Sequence, residues 1–179
     1  MSTQYHHPEL HVIRDTEGWR SAEQVSEMYA DVFNHQSLLT DKLKLLATDG
    51  VRVECVSQEY NQEKTAQRRD VVIFVDDQPQ VLASTIIPEQ VLTHYPALAT
   101  LGNQPIGEFL ESNYGATRSE TTVRLVDSAN ELNKNFPHSG DCFLRRYDYL
   151  LEHGKITIVE LFSPPIVVLL RAQLLEQSL

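Results

Sequence analysis

The chain opens on helical spacing and then changes to strand spacing. From Trp19 to Phe33 the apolar residues Val25, Met28, Tyr29, Val32 and Phe33 recur at three- and four-residue steps, the stripe of an amphipathic helix. A second helix is predicted from Ser37 to about Ala47 by Leu39, Leu43 and Leu46, with Ser37 as its cap and Asp49-Gly50 as its stop. Val51 to Ser57 alternates apolar and polar residues with period two, a strand with one wet face. Arg69–Val75 and Gln80–Ile87 flank Asp76-Asp77-Gln78-Pro79 and read as a hairpin. Pro88 to Leu101 is predicted helical with Val91, Leu92, Tyr95 and Leu98 inward, and Pro96 divides it. Gly102 to Gly107 is a loop, and a short helix runs from Glu108 to near Gly115. Thr121–Val126 alternates again, and Cys142–Leu151 and Lys155–Phe162 form a second hairpin around His153-Gly154. Pro164-Pro165 ends it, and the apolar C-terminal segment packs as a helix on the sheet.

About six strands joined mostly by hairpins, with helices grouped early and midway, predict an α+β domain around an antiparallel sheet. A chain of 179 residues has room for one core, so residues 19–179 form a single domain behind a loosely held polar arm, residues 1–18. The arm carries His6, His7 and His11, but no metal motif surrounds them and a terminal arm fixes coordination poorly; a solvated tail is expected.

Composition narrows the function classes. The longest apolar run, Ile166–Leu170, is far short of a bilayer span, and the N-terminus lacks the pattern of a signal peptide, so a cytoplasmic protein with no membrane insertion is expected. Cys55 and Cys142 stand in no CxxC or Cys/His spacing and read as buried small hydrophobes, with no metal site. A formal net charge of −10 argues against a nucleic-acid surface, which needs clustered Lys and Arg. An acidic protein that binds a small acid must gather positive charge into one site, which makes every arginine in an apolar segment a candidate.

Arg69 stands directly before Val71-Val72-Ile73-Phe74-Val75, a run apolar at every position and therefore buried on both faces. It is either an ordinary strand-start residue or a guanidinium that grips a carboxylate through two parallel hydrogen bonds. Glu160 lies within Ile156, Ile158, Leu161 and Phe162, and a carboxylate there must pair with an arginine, stay protonated or serve a ligand. The glycines at the two ends of Gly102–Gly107, next to a helix start, would let backbone amides approach an anion.

The order of these segments resembles bacterial chorismate lyase, the 4-hydroxybenzoate synthase of ubiquinone biosynthesis. Four patches carry the resemblance: Arg69–Pro79 through Thr85-Ile86-Ile87-Pro88; Leu101-Gly102 through Pro105-Ile106-Gly107; Arg145-Arg146 through Gly154-Lys155 to Glu160-Leu161-Phe162-Ser163-Pro164; and Ser37-Leu38-Leu39-Thr40. The resemblance implies a six-stranded antiparallel sheet with helices packed on it and an internal ligand cavity. It also implies elimination of pyruvate from chorismate to leave 4-hydroxybenzoate, with no cofactor, in a monomer or small homo-oligomer. Arg69 matches the arginine that holds the ring carboxylate, Glu160 the glutamate near the other end of the ring, and Leu39, Ile106 and Gly107 positions that line the ligand. Ser84 stands where the family carries an arginine, and chorismate has two carboxylates. Arg145, Arg146 or Arg118 must then take the second, or the ligand differs; Ser84 and Arg146 are the expected substrate contacts on that side.

Two other readings stay open. The effector domains of one large group of transcription regulators resemble the same fold, but no basic recognition helix accompanies this one. A related lyase releasing another hydroxybenzoate would carry the same residues.

Overall fold

A computed structural model describes residues 5–8, 17–35, 37–138 and 140–177. Seven strands are found among them: β1 Val51–Tyr60, β2 Ala66–Val75, β3 Gln78–Pro88, β4 Thr117–Arg118, β5 Thr122–Val126, β6 Cys142–Leu151 and β7 Gly154–Phe162. They form one antiparallel sheet in the order β1-β2-β3-β7-β6, and β4 and β5 follow one another along the outer edge of β6. Six strand positions result, as the alternation predicts. The extra strand, β4, is two residues long, too short to show a period.

The helices lie on one face. The stripe from Trp19 to Phe33 does not make one helix. Arg20 is bridged to Val123 in extended form, and α1 (Ala22–Val25) and α2 (Ala30–Asn34) are separated by Ser26 at φ −162°, ψ 108° and a 3₁₀ turn over Glu27–Tyr29. Serine competes for backbone hydrogen bonds mid-helix, and the break lets Ala22 and then Ala30, Val32 and Phe33 each reach the core while Met28 stays exposed. α3 (Leu39–Leu46) starts later than predicted, because the Ser37 hydroxyl is engaged with His35 Nδ1 at 2.8 Å and Leu38 takes the cap position. Pro96 divides the next helical stretch into α4 (Glu89–His94) and a 3₁₀ turn, Pro96–Thr100. α5 (Ile106–Tyr114) begins two residues before Glu108, and α6 (Pro164–Gln177) closes the fold.

These helices divide the core on that face in two. One cluster gathers α1, α2, α3 and α6 over Ile73, Val75, Val81, Phe143 and Phe162. The other gathers α4 and α5 over Ile87, Tyr147, Tyr149, Ile156 and Ile158. Between them, β3 presents only Ala83 and Thr85, so the sheet floor dips where large side chains stand on either side.

The opposite face is covered without α-helix. Val72, Phe74, Leu82, Val126, Leu144, Val159 and Leu161 pack beneath Phe136, Leu132, Trp19 and Tyr5. Residues 5–8, predicted as part of a loose arm, are tied down there. His7 Nε2 lies 3.0 Å from the Val71 carbonyl, Arg68 donates to the Pro8 carbonyl at 2.9 Å, and Tyr5 meets Phe74 edge-on at 6.3 Å. His11 lies outside the described residues. No cluster of three metal-ligating side chains occurs among the described residues, and none of their helices is long and apolar enough to cross a membrane. Cys142 is buried, with its thiol pKa pushed up to about 12 chiefly by burial, whereas Cys55, expected buried, is only half so because β1 is the sheet edge.

Candidate functional site

The dip over β3 is a cavity. Val53, Arg69, Val71, Ile73, Ala83, Thr85, Ile158, Glu160, Tyr147 and Tyr149 rise from the sheet, and Leu38-Leu39-Thr40 and Pro105-Ile106-Gly107 roof it at the first turns of α3 and α5. Arg118, on β4, stands at the wall. The cavity's volume is about 50 Å³, small against the roughly 300–1,000 Å³ of a pocket that swallows a drug-sized ligand.

Strand register sets the chemistry of the floor. Arg69 pairs across β2–β3 with Thr85, and Glu160 lies between Ala83 on β3 and Arg145 on β6. Arg69 is 1% exposed, and its Nη2 donates to the carbonyls of Gly102 at 2.7 Å and Gln104 at 2.9 Å. Gly102 has φ +55°, a conformation that turns the loop's carbonyls toward the guanidinium at little steric cost. No Asp or Glu among the described residues pairs with Arg69, and its buried Nε has no hydrogen-bond partner. Burial pulls its pKa below that of an ordinary guanidinium, yet arginine stays charged at any physiological pH. A positive charge held by two carbonyl dipoles beside the Cys55 thiol, with no carboxylate partner among the described residues, suits an incoming carboxylate.

Glu160 is differently placed. Arg145 Nε donates to its Oε2 at 2.7 Å, Arg145 Nη2 lies 2.7 Å from the same oxygen, and the Tyr147 hydroxyl donates to Oε1 at 3.3 Å. Arg145 is also stacked between Tyr147 and Phe162, at 5.3 and 5.1 Å from their ring centroids. Burial, and then Glu160 itself, pushes the Tyr147 pKa well above that of an ordinary phenol, so the hydroxyl stays protonated. The carboxylate is therefore fixed in one orientation beside a neutral phenol.

The roof adds a second kind of positive field. Neither α3 nor α5 has a side-chain cap at its N-terminus, and both first turns line the cavity. Unpaired amides and the helix dipole favour an anion at each. Gly107 is required there by proximity: a Cβ would come within 2.8 Å of Tyr149 Oη and 3.1 Å of Leu38 Cδ2.

Arg69, Glu160, Leu39, Ile106 and Gly107 thus share one cavity. Ser84 and Arg146 do not. Side chains alternate along a strand, and both residues fall on the other face. The Ser84 hydroxyl donates to Asp70 at 2.6 Å within a buried group that includes Arg68, while Arg146 lies over Trp19 at 5.8 Å. Strand parity thus places these two, expected as substrate contacts, outside the cavity that holds Arg69 and Glu160. Tyr147 and Tyr149 were missed, although they share a face with Arg145 at period two; Ala83 and Thr85 were missed because small residues carry no signal of their own.

An α+β sheet domain with a cavity walled by buried arginines and roofed by two helix N-termini is the class that fold and site define. The chain belongs to the chorismate pyruvate-lyase Rv2949c-like family, whose description matches residues 34–170. The Pectobacterium atrosepticum "Chorismate pyruvate-lyase" is 31% identical over 100 residues, covering 54% of this chain and 48% of that protein. A Bartonella bacilliformis protein named "Probable chorismate pyruvate-lyase" is 41% identical over 61 residues, 34% of this chain and 36% of its own length. The chain therefore matches between about a third and a half of the length of these relatives. Among solved structures, the effector domain of PhnF from Mycobacterium smegmatis overlays with a TM-score of 0.47 at 12% identity, over 65% of this chain and 82% of that one.

Proposed function

We propose that this protein is a chorismate lyase that eliminates pyruvate from chorismate and leaves 4-hydroxybenzoate. The observation that carries the reading is Arg69, a buried guanidinium with an unsatisfied Nε and no carboxylate partner among the described residues, in the wall of a cavity that also holds Glu160. Family membership supports the same reading.

In this mechanism Arg69 receives the ring carboxylate and the apolar floor of Val71, Ile73 and Ile158 receives the ring. The ring–oxygen bond of the enolpyruvyl ether breaks with its electron pair leaving on oxygen, the hydroxyl-bearing ring carbon loses its hydrogen as a proton, and the released enolate takes up a proton on its methylene carbon to become pyruvate. Aromatisation drives the step, so no nucleophile or electron carrier is called for, and catalysis rests on positioning and placed charge. Glu160, held by Arg145 and Tyr147, orients the reacting end of the ring and exchanges the proton.

The test is incubation of the purified chain with chorismate, with and without a chelator, followed by product identification. Pyruvate and 4-hydroxybenzoate in equal amounts, indifferent to the chelator, are expected. Release of 3-hydroxybenzoate would assign a sister lyase, and tight binding of unchanged chorismate would assign a sensor; either overturns the proposal.

A further inference from the structure

We infer that the cavity has a second carboxylate seat, built on Arg118 and the N-terminus of α3, and that its ligand is a dianion bound at both ends. The inference rests on the lyase reading above and supplies what that reading lacks, since Ser84, which stands where the family carries an arginine, points away from the cavity.

The two seats are built alike. At the first, Arg69 is bolted to the Gly102 and Gln104 carbonyls, in the loop that runs directly into α5. At the second, Arg118 Nη1 donates at 3.2 Å to the Ser37 carbonyl, in the loop that runs directly into α3. Each arginine thus stands beside the uncapped first turn of a helix whose residues line the cavity, so charge and free amides converge on the same space. The Arg118 side chain is 7% exposed and is steadied from behind: Nε donates to Tyr149 Oη at 2.9 Å, and Nη2 to Glu111 Oε1 at 2.9 Å. Three N–H groups are engaged in this way, and a guanidinium has five, so a carboxylate can be added without dismantling the support.

The charge balance agrees. Arg69, Arg118 and Arg145 line or border the cavity, and Lys42, 9% exposed on α3, is close enough to Arg145 that burial and then this neighbour lower its pKa. Among the described residues, Glu160 and Glu111 are the carboxylates paired with these arginines. The lining itself carries Arg69 and Arg118 against Glu160, a net positive charge that suits an acid. Arg145, the other candidate, is already spent on Glu160.

The test compares ligands with one and two carboxylates by calorimetry on the full chain: 4-hydroxybenzoate and the unreactive diacid 3-(carboxymethoxy)benzoate. Arg118→Gln is expected to weaken the diacid roughly tenfold or more, the loss of one charged hydrogen-bonded contact, and to leave 4-hydroxybenzoate within about threefold. Arg118→Lys should recover part of the loss. Glu111→Gln, which removes the support but keeps the cation, should retain diacid binding, and melting temperatures report whether each variant is folded. Equal weakening of both ligands by Arg118→Gln, no weakening of either, or an equal loss of diacid binding in Glu111→Gln, would make Arg118 a structural clasp and overturn the inference. Arg118-dependent diacid binding in a protein that leaves chorismate intact would sink the lyase reading and keep this one. Failure of the wild type to bind either ligand would sink both.

Discussion

Arg69 and Glu160 are both buried charges, yet they predict opposite behaviour on substitution. Arg69 has no counter-ion among the described residues, so its burial is a cost that the fold carries. Replacing a buried, poorly compensated ion by an apolar group of similar size is often neutral or stabilising. Arg69→Met should therefore keep or raise the melting temperature, while the KM for chorismate rises at least tenfold, for about 1.4 kcal/mol or more of lost contact. Glu160→Gln strands Arg145 without its partner. It should destabilise by roughly 3–5 kcal/mol in denaturant titration, and turnover per folded molecule should also fall; unchanged turnover would remove Glu160 from the chemistry. The two residues were legible in the sequence for one reason, charge set in an apolar strand. Their difference was not legible, because it depends on which residue each strand neighbour presents. One part could have been read: counting back from Leu151 opposite Gly154 pairs Arg145 with Glu160 and sends Arg146 to the other face. The same count misleads on the β2–β3 hairpin: from Val75 opposite Gln78 it would set Ser84 opposite Arg69, but a bulge between Ile73 and Phe74 shifts the register by one and puts Ser84 opposite Asp70.

At the level of elements, the cavity exists because β3 is narrow in side chain where its neighbours are wide. Ala83→Leu would raise the floor between Val71 and Glu160, its partners on either side. Chorismate binding should fall more than tenfold, while stability changes by no more than the roughly 1–3 kcal/mol typical of overpacking; unaltered affinity in calorimetry would move the ligand elsewhere. The β2–β3 turn predicts a pH effect. Asp76 and Asp77 both have positive φ, as a two-residue hairpin turn of this hand requires. The Asp76 carboxylate accepts the amides of Thr48, Asp49 and Gly50, which end the α3–β1 connection and hold its pKa below the usual carboxylate value. A depressed pKa means a contribution to stability that is present above the unfolded value, about 3.9, and fades as pH falls through the folded one. The stability gap between wild type and Asp76→Asn should be constant near neutrality and close as the pH drops below about 4. Asn tolerates the backbone angle, so the comparison isolates the charge. The hairpin itself was plain in the sequence. The carboxylate's partners come from an element 26 to 28 residues earlier, which no local pattern reveals.

For the molecule as a whole, alternation and punctuation were enough to read an antiparallel α+β domain with both hairpins in place. Two features escaped. The opening stripe starts its helix only at Ala22 because Arg20 is committed to pairing with Val123, a tertiary contact that overrides helical spacing, and it divides again at the extended Ser26. Residues 5–8 look like a solvated tail because their anchors, Arg68, Val71, Phe74 and Asn135, are distant in sequence.

The absence of a counter-ion for Arg69 among the described residues also bears on how long the protein survives in a cell. A charge buried without a carboxylate partner lowers the stability of the empty state, and on the proposed function a bound carboxylate would return about 2.7 kcal/mol when the ligand is present at 100 times its Kd. Where opening is faster than cleavage, proteolysis tracks the population of the opened form. Digestion of the purified chain should therefore slow markedly with 4-hydroxybenzoate, and Arg69→Met should be resistant from the start and indifferent to it. Supply of ligand would then set the working lifetime of the protein, with the idle fraction cleared first.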